Sequence, residues 1–198
     1  MILEGILSTF CPTTGLMNIA AMGVTVDELS GFDDTGQLSS FQLKPFEGSR
    51  TFANLKALGE GVFHLVDDAE LLARAALSNV SDANVTRAKK VAAPVLVDAV
   101  MACEFQVVQA EWSLPRSLLL CEVVATHSFR RWRGWNRAQN AVLELTILAT
   151  RVHLIPENEI RSQMELLRPL VEKTAGPTEW AGWKFVVAYL EQRWNERA

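Results

Sequence analysis

The hydrophobic period of this chain changes once, close to Arg133, and that change limits the fold to a β part followed by an α part. Upstream, apolar residues come in extended runs: Ile2 to Thr9, Asn18 to Val26, Leu38 to Leu43, Gly61 to Val66, Met101 to Trp112 and Leu118 to Ser128. Turn formers separate them, at Pro12 to Gly15, at Ser30 to Gly36 and around Pro115 in Ser113 to Arg116. Two short helical stretches, Phe52 to Leu58 and Ala69 to Leu77, interrupt the pattern, the second with Asp67 and Glu70 at capping-box spacing. Parallel strands need crossover helices, so strands with this little helix between them predict antiparallel pairing, a hairpin of the first two runs and a barrel. Ser78 to Ala93 is polar, mixed in charge and ends at Pro94, which predicts a mobile excursion over the surface.

Beyond Arg133 three helices are expected. Ala138, Ala141, Val142, Leu145, Leu148, Ala149 and Val152 form one stripe, with Arg137, Glu144 and Arg151 off it. Pro156 opens a second helix carrying Ile160, Met164, Leu167 and Val171, which Pro169 is expected to kink or shorten and Gly176–Pro177 to stop. Thr178 is the expected cap of a third, whose Trp180, Trp183, Val187, Leu190 and Trp194 alternate at three and four like a seam packed on another helix or on a second subunit. The fold class is therefore α+β with a mainly β core: a barrel over 1–132 and a three-helix extension, 133–198, packed on it.

Composition removes several functional classes. The chain has 198 residues, 49% hydrophobic and 21% charged, enough to bury a core without disulfides. A net charge of −4 argues against a nucleic-acid partner, which needs a basic excess to neutralise phosphates. Cys11, Cys103 and Cys121 form no C-x-x-C pair and are odd in number, which points to a reduced, cytoplasmic setting with the thiols as packing residues. No apolar run is long enough to cross a bilayer, and MILEGIL has an acid where a signal peptide would be basic. The three histidines lack metal-ligand spacing, so no metal is expected; His64, in an apolar strand, could reach a ligand, although a core histidine satisfied by backbone is the commoner outcome. No nucleophilic serine motif, Walker loop or dinucleotide fingerprint is present.

The stretch KPFEGSRTFANLKALGEGVFHLV, from Lys44 to Val66, has the chemistry of a phosphate clamp. Gly48, Ser49, Arg50 and Thr51 precede a short helix, and a helix start presents unpaired N–H groups with partial positive charge. Ser49 and Thr51 add hydroxyl donors, and Arg50 adds a planar fork that matches two phosphate oxygens. The same residues also suit an ordinary capped helix with a solvated arginine.

Thr51, Asn54, Leu55, Gly59 and Glu60 with the following strand resemble the "DTxxNIxxTGEFVVN" signature of flavin-reductase-like split barrels, and MNIAAMGV from Met17 resembles their second strand, "xNxAPxS". MILEGI, KPFEGSRTFANL, WNRAQNAVLELTILATR and LRPLVEKTAGP resemble an uncharacterised branch of that FMN-binding split-barrel superfamily, which includes relatives similar to pyridoxamine-phosphate oxidases, with a helical carboxyl-terminal extension. The resemblance implies a split β-barrel and FMN as cofactor, with Gly48, Ser49, Arg50, Thr51 and Asn54 at its phosphate and Asn18, Met22, Gly23 and Val24 along its ring. Ala21 departs from the usual Pro, and Gly23 from the usual hydroxyl, which leaves only backbone to touch a flavin there. It also implies a flavin-dependent oxidoreductase that uses a small-molecule electron donor or acceptor, and a homodimer with flavin near the subunit interface. The alternative is a binding or scaffold protein on the same barrel, holding haem, another flavin or nothing. FRRWRGWNR, with Arg130, Arg131, Arg133 and Arg137 at a helix start, opposes the helix dipole, so Arg133 and Arg137 are expected to face an anion, the flavin phosphate or an acidic substrate, unless acidic side chains pair with them.

Overall fold

The computed structural model describes residues 1–113 and 117–197, so the expected turn at Pro115 lies outside the described residues. Six strands close a barrel in the order β1 (Ile2–Phe10), β2 (Met17–Thr25), β3 (Ser40–Leu43), β8 (Leu118–Ser128), β7 (Met101–Glu111) and β4 (Glu60–Leu65), every neighbouring pair antiparallel. The first two runs form the expected hairpin, in register from Ile2 opposite Thr25 to Phe10 opposite Met17. Alternation along the strands sends Leu7, Val24, Phe41, Leu43, Phe63, Cys103, Phe105, Leu119 and Cys121 into one interior, where Phe41 meets Phe105 edge-on at 5.1 Å. Burial pushes the Cys103 thiol up to about 11 and Cys121 in the same direction, as packing residues. Cys11 is different: it is half-buried just beyond β1, and hydrogen bonds with Thr13 and Thr14 hold its thiol down at about 7.

The helical stretches α1 (Arg50–Leu58) and α2 (Ala69–Leu77) are present, but Asp68 rather than Asp67 caps α2, its carboxylate accepting from the Leu71 amide at 2.8 Å. Two compact units result, Met1–Val66 with Ser81–Arg131, and Asp67–Val80 with Trp132–Ala198. The segment around α2, expected in the barrel half, thus joins the carboxyl-terminal helices, because its Ala69 and Ala73 are buried in their core. In that unit α3 (Arg137–Thr150) packs on α2, α4 (Glu157–Thr174) and α5 (Pro177–Asn195). Gly182 permits the close approach of α5: a Cβ there would lie 3.1 Å from the Glu70 amide and 3.1 Å from a Val142 methyl.

Two expectations for these helices are corrected, and the seam takes the first of its two expected forms. Pro169 does not shorten α4, which runs on to Thr174, close to the expected stop at Gly176–Pro177; Pro169 and Glu165, one turn back, are exposed, so water can serve the carbonyl the ring leaves unpaired. Thr178 does not cap α5; Gly176 does, with the Glu179 carboxylate accepting from its amide at 2.8 Å and Pro177 at the first position. The tryptophan seam is packed within its own unit, where Trp183, Val186, Leu190 and Trp194 are buried and Arg161 lies 4.1 Å above the Trp194 ring.

The excursion after α2 is tied to the barrel wall. Its residues Val85–Thr86 (β5) pair with Val95–Leu96 (β6), and Val91, Ala93 and Val95 pack on Val62 and Ala102. Polar groups on the wall then take its backbone: Glu60 accepts the Ala92 amide, Glu104 accepts the amides of Lys89 and Lys90, and Ser8 donates to the Pro94 carbonyl. Buried His64 completes the set with Nδ1 donating to Ile6 O and Nε2 accepting from Leu96 N, both at 3.0 Å, the backbone-satisfied role expected of it. Burial, against the pull of the Ile6 carbonyl, holds its pKa down at about 4.

A pH dependence follows from His64. Below about pH 6.5 the unfolded chain takes up a proton that folded His64 refuses until about pH 4, so its contribution is complete above 6.5 and falls by on the order of 3 kcal/mol across that window. Urea unfolding between pH 7 and 5 should show midpoints falling with pH, and His64→Gln should flatten that slope; an unchanged slope would place the dependence elsewhere.

Candidate functional site

The helix α1 is set at the barrel by its caps. Gly48 turns the chain with φ +82°, and extended Ser49 accepts the Phe52 amide on its Oγ at 3.1 Å. At the other end Gly59, left-handed at φ 65°, donates to Leu55 O at 2.8 Å and turns the chain into β4. The Ala53 amide is taken by Ser49 O, which leaves the Arg50 and Thr51 amides with no acceptor among the described residues. The first turn of α1 contains no acid, and the exposed Arg50 guanidinium has no partner among the described residues. This is the arrangement that binds an oxyanion: two free N–H groups, a positive dipole end and a bidentate cation.

Behind it lies a buried polar network. Asn18 donates from Nδ2 to Thr51 Oγ1 at 3.0 Å and to Thr9 Oγ1 at 3.5 Å, while Asn54 Nδ2 donates to the same Thr9 oxygen at 3.0 Å. All four residues are more than nine-tenths buried. Of the expected binding residues, Asn18, Thr51 and Asn54 are thus brought together, with their side chains fixing α1 to β1 and β2; Gly48, Ser49 and Arg50 form the open rim above them. Thr9 is the hub that sequence reasoning missed. Its signal was its place opposite Asn18 across the first hairpin, two polar residues mirrored about the Pro12 to Gly15 turn.

The expected ring-binding residues lie on β2. Val24 is wholly buried in the barrel interior and Met22 packs against the same cluster, so neither side chain is free to meet a ligand broadly. Their backbone is available: β2 pairs with β3 only at Thr25 opposite Gln42, and Met17 to Val24 has no strand partner on that edge among the described residues. At Gly23 a Cβ would lie 3.1 Å from the Glu4 carboxylate and from Ile2.

The arginine cluster is not one bare patch. Arg130, in the barrel unit, donates to Asp98 O at 3.4 Å. In the helical unit Arg133 reaches buried Asp67, whose carboxylate accepts its amide at 3.3 Å and lies 3.9 Å from its Nε. Asn136 caps α3, and Arg137, its first residue, is exposed with no partner among the described residues. Trp132 and Trp135 are exposed beside each other, 6.4 Å between rings. Among the described residues no three His, Cys, Asp or Glu side chains gather where they could hold a metal ion.

On α1 itself, Phe52 meets Trp112 edge-on at 5.3 Å, and the Lys56 ammonium sits 5.6 Å from the first ring centre and 5.8 Å from the second. Nothing in the period of β7 announces that its end reaches this helix.

Comparison with known proteins gives a family and a fold. Residues 3–130 match the family model described as "Protein of unknown function (DUF447) N-terminal domain", and 136–187 match a second model of "Protein of unknown function (DUF447)". Among solved structures, an FMN-bound protein of Methanosarcina mazei carrying the same family model is similar over 95% of this chain and 94% of its own, at 22% identity and TM-score 0.78. The 2-nitrobenzoate 2-nitroreductase of Pseudomonas fluorescens is similar over 63% of this chain and 64% of its own, at 17% identity and TM-score 0.52. Flavoredoxin of Methanosarcina acetivorans is similar over 63% and 67%, at 13% identity and TM-score 0.53. The fold is that of the FMN-binding split barrels with a helical carboxyl-terminal extension. No curated protein matches the chain.

Thr9 makes the network testable. Thr9→Val removes the oxygen shared by two buried amides and should cost about 1–3 kcal/mol in urea unfolding, the penalty of a stranded polar group, whereas Thr9→Ser should cost much less. Equal losses in the two variants would show that the methyl, not the hydroxyl, matters.

Proposed function

The chain belongs to the DUF447 family of proteins of unknown function, and we propose that it is an FMN-binding flavoprotein, a cytoplasmic oxidoreductase that exchanges electrons with a small molecule. The observation that carries the reading is the start of α1: two unclaimed amides, no acid in the first turn, and Arg50 exposed without a partner. The M. mazei protein of the same family was solved with FMN bound, which supports the choice of anion.

In this reading Gly48, Ser49 and Arg50 hold the phosphate, with the Thr51 amide completing the cup. The network of Thr9, Asn18, Thr51 and Asn54 holds that cup in place before any ligand arrives, which lowers the ordering cost of binding. The unpaired edge of Met22, Gly23 and Val24 offers backbone donors and acceptors to the polar rim of a flat ring. Bound flavin supplies hydride and single-electron chemistry through its own ring. The chain's share is to bind, orient and desolvate it. Arg137, unpaired at a helix start, is the arginine of the second cluster that best suits an anionic ligand; Arg133 is engaged by Asp67, the pairing that competes with a ligand role.

FMN should bind far more tightly than riboflavin in equilibrium titration, and Arg50→Ala should cost about 1.5–3 kcal/mol of FMN affinity, with Arg137→Gln titrated alongside. Equal affinity for riboflavin and FMN would remove the phosphate from α1, and a visible spectrum of haem or of no chromophore would favour the scaffold reading. We also propose a homodimer with flavin near the subunit interface. The tryptophan seam no longer argues for it, being buried within one unit, but the outward apolar residues Leu118, Leu120 and Val124 of β8 do. Sedimentation should give twice the chain mass at micromolar concentration; a flavin-loaded monomer would exclude it.

A further inference from the structure

We infer that the carboxylate of Glu4, laid across Gly23 from the neighbouring strand, determines which electron partners the site accepts, favouring cationic molecules over anionic ones. The inference rests on the flavin reading above and adds the charge class of the molecule that reacts there.

Glu4 on β1 stands opposite Gly23 on β2 in the first hairpin. A Cβ at Gly23 would lie 3.1 and 3.2 Å from the two Glu4 carboxylate oxygens and 3.1 Å from an Ile2 methyl. Gly23 is not one of the glycines with positive φ, so its missing side chain provides space and not backbone freedom. The carboxylate occupies that space. It leans from β1 over β2, toward the edge of β2 that has no strand partner among the described residues from Met17 to Val24.

The charge is also unmatched. Glu4 is exposed and has no hydrogen-bond or ion-pair partner among the described residues, whereas Glu60 and Glu104, two other acids of the barrel strands, are taken by backbone amides. Its distance from the start of α1 separates its effect from phosphate binding. Asn18 touches the first turn of α1 through Thr51, and at roughly 3.3 Å per residue Gly23 stands about 17 Å further along the strand. That exceeds a screening length of about 8–10 Å at ordinary salt, so Glu4 acts at the ring end and not on the phosphate. A flavin gains negative charge when it is reduced. A fixed anion beside the ring therefore lowers the midpoint potential, and the same anion attracts a cationic partner and repels an anionic one.

Three forms of the protein test this: wild type, Glu4→Gln, which keeps the shape, and Asp34→Asn, which removes an equal charge from an exposed loop. FMN affinity is measured first, by equilibrium titration, and then the midpoint potential of the loaded protein against indicator dyes. Dithionite-reduced, desalted protein is next mixed anaerobically with hexaammineruthenium(III) or with ferricyanide, each flavin passing two electrons to two acceptor ions and its protons to the buffer. Glu4→Gln should leave FMN affinity unchanged and raise the potential. The ratio of the cationic to the anionic rate, which removes the shared effect of driving force, should fall roughly tenfold at low salt, about threefold from each acceptor, the Coulomb effect of one unit charge near contact in water. That difference should fade as salt rises, and Asp34→Asn should show none of it. An unchanged potential and rate ratio in Glu4→Gln overturns the inference. So does an equal response in Asp34→Asn, which would reduce the effect to net charge, or a change confined to self-association in sedimentation, which would make Glu4 a subunit contact. Failure of FMN to bind the wild-type protein is a separate result: the phosphate reading falls, and this inference with it.

Discussion

One threonine hydroxyl organises the end of the barrel at which α1 begins. Thr9 Oγ1 receives amide hydrogens from both Asn18 and Asn54, and Asn18 in turn reaches Thr51, so two strands and a helix are tied through a single buried oxygen. Amides buried this deeply are costly unless matched, and that cost makes the arrangement specific: sliding α1 by one residue would strand them. The position of the helix start, with its unclaimed N–H groups and Arg50, is therefore set from beneath rather than by contacts at the rim.

A second set of buried polar groups does comparable work on the wall of the barrel. His64, Glu104, Glu60 and Ser8 each meet backbone of the irregular segment between α2 and β7. Burial alone would push the Glu104 carboxyl up, but the amides of Lys89 and Lys90 and the His127 ring at 2.5 Å outweigh it and hold it below the usual range. An irregular segment has few backbone bonds of its own, and here the sheet supplies the missing partners.

Much of this was legible in the sequence because much of it follows from period. Alternation gave the strands, and spacing at three and four gave α3 to α5 and most of their buried faces, though on α5 Val186 rather than Val187 is buried and Trp180 is only partly covered. Gly59 announced the end of α1 through residue chemistry alone, whereas its start was expected at Phe52 and lies at Arg50, because the Ser49 cap brings Arg50 and Thr51 into the first turn. What remained hidden was tertiary. The choice of Asp68 over Asp67 as a cap was invisible because Asp67 is claimed by Arg133 and its carbonyl by Gln139, more than sixty residues away. Thr9 looked like any strand threonine, and Trp112 gains meaning only once β7 delivers it to Lys56. Pro169 misled in the opposite direction, since a rule about isolated helices ignores water on an exposed face.

The single rung among the described residues between β2 and β3, Thr25 opposite Gln42, leaves a row of main-chain donors and acceptors along Met17 to Val24 that faces no described strand. Such an edge is a template for any extended chain that meets it, including another copy of this one. It includes small side chains, Ala20, Ala21 and Gly23, that offer an incoming strand little resistance. Anything that covered that edge would therefore also act as a guard against pairing between copies of the chain.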